Sequence, residues 1–283
     1  MVTRLSMIRK VVVFALIMGP CLFGQAVAED KAGVRVKGSN EWANVVEDWA
    51  NRFMGEMRGV VVVVSGGGTR SGIEALFRRE ADIAMAAHFL DQDQKKAAAD
   101  LGIDLQERLV SWDAVAFFVN RDNPVSELTI DQVRSLFMGH VSRWDNVGGR
   151  AASVEVYTDE TPKSEIASLL RKLVLAGADF APNANVRRYP KFIIQAVSEK
   201  KNSIGYAPLG RVIEFQRDFP VKPLALRRSE DAAAVLPGKE TVADQTYPVI
   251  LPLFFYWDGK SAGKPVKDFV TFCEEKVRPG GTR

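Results

Sequence analysis

The chain has 283 residues, 47% of them hydrophobic, which is enough for one large core or two smaller ones. It carries 38 basic and 35 acidic residues. Three of the cations fall in an amino-terminal stretch expected to be removed; the 35 of each sign that remain argue against a broad nucleic-acid-binding surface.

That stretch is residues 1–28. Arg4, Arg9 and Lys10 precede the apolar run "VVVFALIMGPCLFG", which is too short to span a bilayer comfortably, and "AVA" (Ala26–Ala28) offers small residues before Glu29. The pattern predicts a cleaved export signal and a periplasmic mature chain, residues 29–283. Pro20, directly before Cys21, argues against a lipid anchor there. Only Cys273 survives processing, so no internal disulfide is expected.

"GVRVKGS" predicts a strand ending at Gly38. Trp42, Val45, Val46, Trp49 and Phe53 then fall on one helical face, opened by Ser39 or Asn40 as N-cap. "GVVVVV" (Gly59–Val64) is β-branched and reads as a strand buried on both faces. "SGGGTRSGIEAL" (Ser65–Leu76) joins it to a helix running to about Arg79. "ADIAMAA" is another buried strand, and "SWDAVAFFVNRDNP" (Ser111–Pro124) a long strand leaving the first unit. A second unit opens with a helix capped by Thr129 that carries Ile130, Val133, Leu136 and Phe137. A strand "SVEVYT", a helix from about Ser164 to Ala176 and a helix around Ile193–Ser198 follow. "SIGYAPLG" predicts a strand and turn, "YPVILPLFFYW" a strand, and "KPVKDFVTFCEEKV" a closing helix. The polar segment from Arg227 to Thr246 reads as a surface excursion.

This alternation predicts an α/β fold with largely parallel sheets in two lobes. Lobe 1 is expected at about 29–115 plus 215–283 and lobe 2 at about 120–210, with the ligand cleft between them. The turn Ser65–Gly72 sits at the carboxyl end of a strand and the amino end of a helix. There, free backbone N–H groups and the positive end of the helix dipole favour an anion. Gly38–Glu41, Ala86–His88 and Tyr157–Ser164 are three further strand ends that could face the same cleft.

The glycine turn fits no nucleotide motif. Gly67 and Gly72 have P-loop spacing, but Ile73 and Glu74 stand where Lys and a hydroxyl residue are required. Ser71 takes the last glycine position of a dinucleotide fingerprint, and Thr69 the glycine position of a nucleophile elbow. His88 and His140 are the two histidines, and neither has a metal-ligand partner at i+4. No metal, cofactor or catalytic set is expected.

Six short stretches carry a resemblance to a known family. "VKGSNEWANVVEDWANRF", "SGGGTRSGIEAL", "ADIAMAA", "LTIDQVRSLFMGHVSRWDNVGG", "SIGYAPLG" and "YPVILPLFFY" follow one another as in the phosphate-type solute-binding proteins of ABC importers. The resemblance spans nearly all of residues 33–280 and implies the two-lobed periplasmic binding protein type II fold, no catalysis, and importer membrane subunits as partners. A monomer is expected. Position by position, it implies that Ser39 and Asn40 stand for the first ligand loop, Gly68, Thr69 and Ser71 for the glycine turn, and Ser164 for the end of a second-lobe Ser-Gly-Thr motif.

The chain also departs from that pattern. Ala87, followed by His88, replaces an Asp or Ser; Thr158 stands at the second-lobe arginine position; Pro162–Ser164 replaces Ser-Gly-Thr; and Leu251 replaces an arginine. Arg70 and Lys163 are the candidate replacement cations, Glu41 a candidate ligand contact, and His88 a candidate contact or pH switch. An ionised Glu41 about 4 Å from the ligand would cost about 4 kcal/mol per ligand charge at an effective dielectric near 20. A bare phosphate dianion is then expected to bind poorly. The resemblance nevertheless implies capture of phosphate or a related small oxyanion for an ABC importer as the leading expectation. An orphan member of the fold taking a zwitterionic or cation-bearing ligand, or serving as a sensor, is the alternative, and a secreted enzyme the distant one.

Overall fold

The computed structural model describes residues 32–159 and 164–277. The export signal and Lys163 lie outside them. A first strand β1 (Ala32–Gly38) leads to helix α1 (Asn40–Glu56), strand β2 (Val60–Ser65), helix α2 (Thr69–Phe77) and strand β3 (Ile83–Ala86). Helix α3 (Gln92–Asp100) precedes the 16-residue strand β4 (Leu105–Asn120). Strand β5 (Glu127–Thr129), helix α4 (Ile130–Phe137), strand β6 (Glu155–Thr158) and helix α5 (Glu165–Leu173) follow. Next come β7 (Asn185–Val186), α6 (Pro190–Glu199), β8 (Ser203–Pro208) and α7 (Leu209–Phe215). The chain closes with β9 (Val221–Pro223), β10 (Ala225–Arg227), α8 (Lys239–Ala243), β11 (Ile250–Asp258) and α9 (Lys264–Val277).

Nine strands form one sheet, ordered β2-β1-β3-β11-β4-β8-β6-β7, with β9 beside β4. β1 runs parallel to β2 and β3, and β6 parallel to β7 and β8. Between these parallel groups β11 runs antiparallel to β3 and β4, and β4 antiparallel to β8. The expected largely parallel sheet is thus a mixed one, because both connecting strands cross its middle. β4 is the shared beam: Leu105–Ala114 pairs with β11, and Val115–Val119 pairs with β8.

Two readings of local burial change with this topology. β2 is an edge strand rather than one covered on both faces, and Val63 is 57% exposed. On α1 the buried residues are Trp42, Val46, Ala50 and Phe53, whereas Val45 points outward and Trp49 is half-buried. Phe53 meets Phe269 and Phe272 of α9 edge-on, each with centroids 5.3 Å apart, which ties the two ends of the chain together. "SIGYAPLG" ends in α7 rather than a simple turn.

The apolar core runs from β1 and α1 through β4 to α4, α5 and α6 without a break. α4 starts as its sequence dictates: the Thr129 hydroxyl accepts from Gln132 N, and the Gln132 side chain accepts from Thr129 N. Trp144 is buried, its Nε1 donating to the Asn202 carbonyl at 2.9 Å, as a structural residue should. Cys273 is buried as well. No helix among the described residues is long and apolar enough to cross a membrane.

Candidate functional site

The carboxyl ends of β1, β2 and β3 are stitched together by backbone. Ser39 N donates to the Met85 carbonyl at 3.0 Å, and Gly68 N to the Gly38 carbonyl at 2.9 Å. Asn40 Oδ1 accepts from Gly67 N at 2.8 Å. Gly68 enters α2 with φ +89, a conformation that glycine adopts without a Cβ penalty. At Gly72 the reason for glycine is space. A Cβ there would lie 2.4 Å from the Lys37 carbonyl oxygen, so α2 can approach β1 only with glycine at this position.

This framework points three donors at one spot. Ser39 occupies the N-cap position of α1, yet its hydroxyl does not cap the helix; it donates 2.6 Å to Glu165 Oε2. Thr69 N donates 2.7 Å to Glu165 Oε1, and the Thr69 hydroxyl donates to the same oxygen. Ala87 N in turn donates to Thr69 Oγ1 at 3.0 Å. A hydroxyl has one proton and two lone pairs, so the Ala87 N–H occupies a lone pair and aims the proton at the anion. Ala87, where the resemblance led one to expect a polar ligand, serves through its backbone.

The carboxylate in this cradle belongs to the first turn of α5. Ser164, the N-cap, accepts from Ala167 N at 2.9 Å and donates to Asp159 Oδ2 at 2.7 Å. Asp159 Oδ1 also accepts from Tyr206, whose hydroxyl bonds Thr158 Oγ1 at 2.6 Å. Thr158, at the position where the resemblance implies an arginine, is thus a buried member of a polar network.

Around the cradle the site is acidic. Burial pushes Glu41 up to about 8, and the charges of Asp159, Glu165 and Asp113 push it the same way. Burial also pushes Asp113 up to about 6 and raises Asp159 above its ordinary value. Arg211, on α7, is a cation whose charge opposes the rise at both Glu41 and Asp113. The expected repulsion of phosphate by Glu41 rested on an ionised carboxylate. Burial raises Glu41 toward and past neutrality, which reduces the charge it presents and with it that penalty.

Of the candidates read from the sequence, Ser39, Thr69, Glu41 and Ser164 come together here. Arg70 and His88 are both exposed, and His88 Nδ1 lies 2.9 Å from the adjacent Phe89 carbonyl. The N–H of Gly68 is occupied by Gly38 and is not offered to a ligand. Asn40 supports the turn through Gly67 N. Ser71 is half-buried, and its Oγ would lie 3.1 Å from a Cβ at Gly67. Two residues escaped the sequence reading. Glu165 looks like any first-turn acid favoured by the helix dipole, and Arg211 follows the matched stretch "SIGYAPLG" directly. Two surface cavities, of about 400 and 320 Å³, are lined by none of the cradle residues.

Comparison with known proteins bears on the family and the fold. The chain is 26% identical over 267 residues to the phosphate-binding protein PstS of Staphylococcus saprophyticus, covering 92% of this chain and 82% of that one. It is 27% identical over 241 residues to the phosphate-binding protein PstS of Pseudomonas aeruginosa, covering 81% and 73%. Among solved structures, an ABC-type phosphate transport receptor from Vibrio cholerae superposes with a TM-score of 0.70 at 25% identity, covering 85% of this chain and 93% of that one. PstS from Borrelia burgdorferi superposes with a TM-score of 0.64 at 20% identity, covering 87% and 95%, and it speaks for the fold alone. Residues 24–275 match the family described as the PBP superfamily domain, and the chain belongs to that family.

Proposed function

We propose that this chain is an exported solute-binding protein that captures phosphate or a related small oxyanion and delivers it to the membrane subunits of an ABC importer, without catalysis. In this reading lobe 1 comprises about 29–115 plus 215–283 and lobe 2 about 120–210, and closure about β4 clamps the solute. The carrying observation is the cradle itself: Ser39 Oγ, Thr69 N and Thr69 Oγ1 already grip an oxyanion, the carboxylate of Glu165. Curated relatives named as phosphate-binding proteins along most of the chain support the same reading. The test is calorimetric titration of the mature protein with inorganic phosphate. Binding that disappears in the double variant Ser39→Ala, Thr69→Ala supports the reading, whereas unchanged binding removes the cradle from the site.

The carboxylates Asp113, Asp159 and Glu165 favour a second reading on the same fold, a zwitterionic or cation-bearing ligand. A thermal-shift panel separates the two. Stabilisation by micromolar phosphate retires the second reading, and stabilisation by cationic solutes alone retires the first.

A further inference from the structure

We propose that Glu165 is a tethered oxyanion, a specificity-determining residue that occupies the cradle in place of the solute and must be displaced before phosphate binds. The inference rests on the phosphate reading above for its ligand, but its geometry is independent of it.

The three donors that reach Glu165 come from the β1–α1 junction and the start of α2. Glu165 comes from the opposite half of the sheet, 126 residues beyond Ser39 and 96 beyond Thr69. Its helix start is fixed: Ser164 is pinned between Ala167 N and Asp159, and Asp159 is pinned by Tyr206. The carboxylate is thus presented by a braced element rather than a free side chain. Ser39 Oγ and Thr69 Oγ1 each have one proton, and Thr69 N has one. All three protons point at Glu165, so none can serve a phosphate oxygen at the same time.

A tethered group competes at an effective concentration in the millimolar range for short connections. The apparent affinity for free solute is then the intrinsic affinity reduced by the fraction of molecules whose cradle is empty. Glu165 therefore sets how much phosphate must be present before the protein loads. The same contact draws together the two halves that a solute would otherwise bridge.

The experiment compares the full mature chain with Glu165→Ala and Glu165→Gln. Glu165 sits at the start of α5, where its own side chain packs no core, and Glu165→Gln keeps its size should the alanine variant fold poorly. Calorimetric titration with inorganic phosphate is expected to show at least tenfold tighter binding in Glu165→Ala, and a smaller gain in Glu165→Gln. Affinity equal to or weaker than wild type in both variants, with Thr69→Ala still losing phosphate, overturns the inference and leaves the phosphate reading standing. If none of the proteins takes phosphate, the phosphate reading fails, and small-angle scattering in phosphate-free buffer decides the inference alone. A larger radius of gyration in Glu165→Ala than in wild type supports it; an unchanged radius overturns it.

Discussion

Thr69 donates both its backbone N–H and its hydroxyl to a single oxygen of Glu165, a residue 96 positions later in the chain. The hydroxyl can do so because Ala87 N occupies one of its lone pairs. Hydrogen bonds to a charged acceptor contribute about 1.5–3 kcal/mol. Thr69→Ala should therefore weaken phosphate binding by about ten- to a hundredfold in calorimetry, with Thr69→Ser retaining most of it. Because the same hydroxyl serves the internal carboxylate, the loss should be larger in a Glu165→Ala background than in wild type. A loss of equal size in both backgrounds would mean that solute and Glu165 use different donors.

Glu41 gives the protein a defined pH signature. Its folded-state value of about 8 stands above the ordinary 4.5, so the folded chain keeps a proton that the unfolded chain gives up. The stabilisation is complete below about pH 4.5 and is lost as pH rises through about 8. Asp113, raised to about 6, acts in the same sense over a lower window. At about 1.4 kcal/mol per pKa unit, Glu41 accounts for a few kcal/mol between pH 5 and 8. The melting temperature should fall across that range by on the order of 10 °C. In Glu41→Gln the fall should shrink and end near pH 6, as read by differential scanning fluorimetry in a pH series. A wild-type melting temperature that rises between pH 6 and 8 would contradict this assignment.

The parts of this architecture that were legible in the sequence are those set by local chemistry. Thr129 announces an N-cap and is one, with Gln132 completing a capping box, and "ADIAMAA" announces a buried strand and is one. The glycine turn is legible as the seam between a strand and a helix start, and there Gly68 takes a positive φ and Gly72 a close approach to β1. What stayed hidden depends on partners far away in the chain. β2 carries the same valine run that a central strand would, and only the sheet order makes it an edge. Ser39 looks like an N-cap and sits at that position, but a carboxylate from the other half of the sheet takes its hydroxyl instead. Glu165 was invisible for the complementary reason: an acid in the first turn of a helix is already explained by the dipole.

Gly72 tests whether the site depends on helix–sheet contact. A Cβ there would meet the Lys37 carbonyl oxygen at 2.4 Å and Gly38 Cα at 2.7 Å, both backbone atoms that cannot swing aside. Gly72→Ala should cost about 1–3 kcal/mol in chemical denaturation. It should also lift α2 from β1, moving Thr69 away from Ser39 and abolishing detectable phosphate binding. Gly55→Ala is the control, since Gly55 lies inside α1 with open space around a Cβ. That change should stabilise by about 0.5–1 kcal/mol through helix propensity and leave binding alone. Equal stability changes in the two variants would show that α2 can shift without strain.

Tyr206 connects the buried network to the start of α5. Its hydroxyl bonds Thr158 Oγ1 and Asp159 Oδ1, and Asp159 holds the Ser164 hydroxyl that caps Ala167 N. Removing the hydroxyl in Tyr206→Phe leaves a buried carboxyl short of a donor, at a cost of about 1–3 kcal/mol. Burial already raises the Asp159 value, and loss of this hydrogen bond should raise it further, weakening Asp159 as an acceptor for Ser164. The Ala167 amide should then exchange with solvent faster in Tyr206→Phe, while the Gln132 amide, capped independently by Thr129, should not change. Hydrogen exchange read by mass spectrometry of peptides covering α4 and α5 makes the comparison directly. Uniform acceleration in both helices would indicate global loosening, whereas acceleration confined to α5 would mark Tyr206 as the brace that holds Glu165 to the cradle.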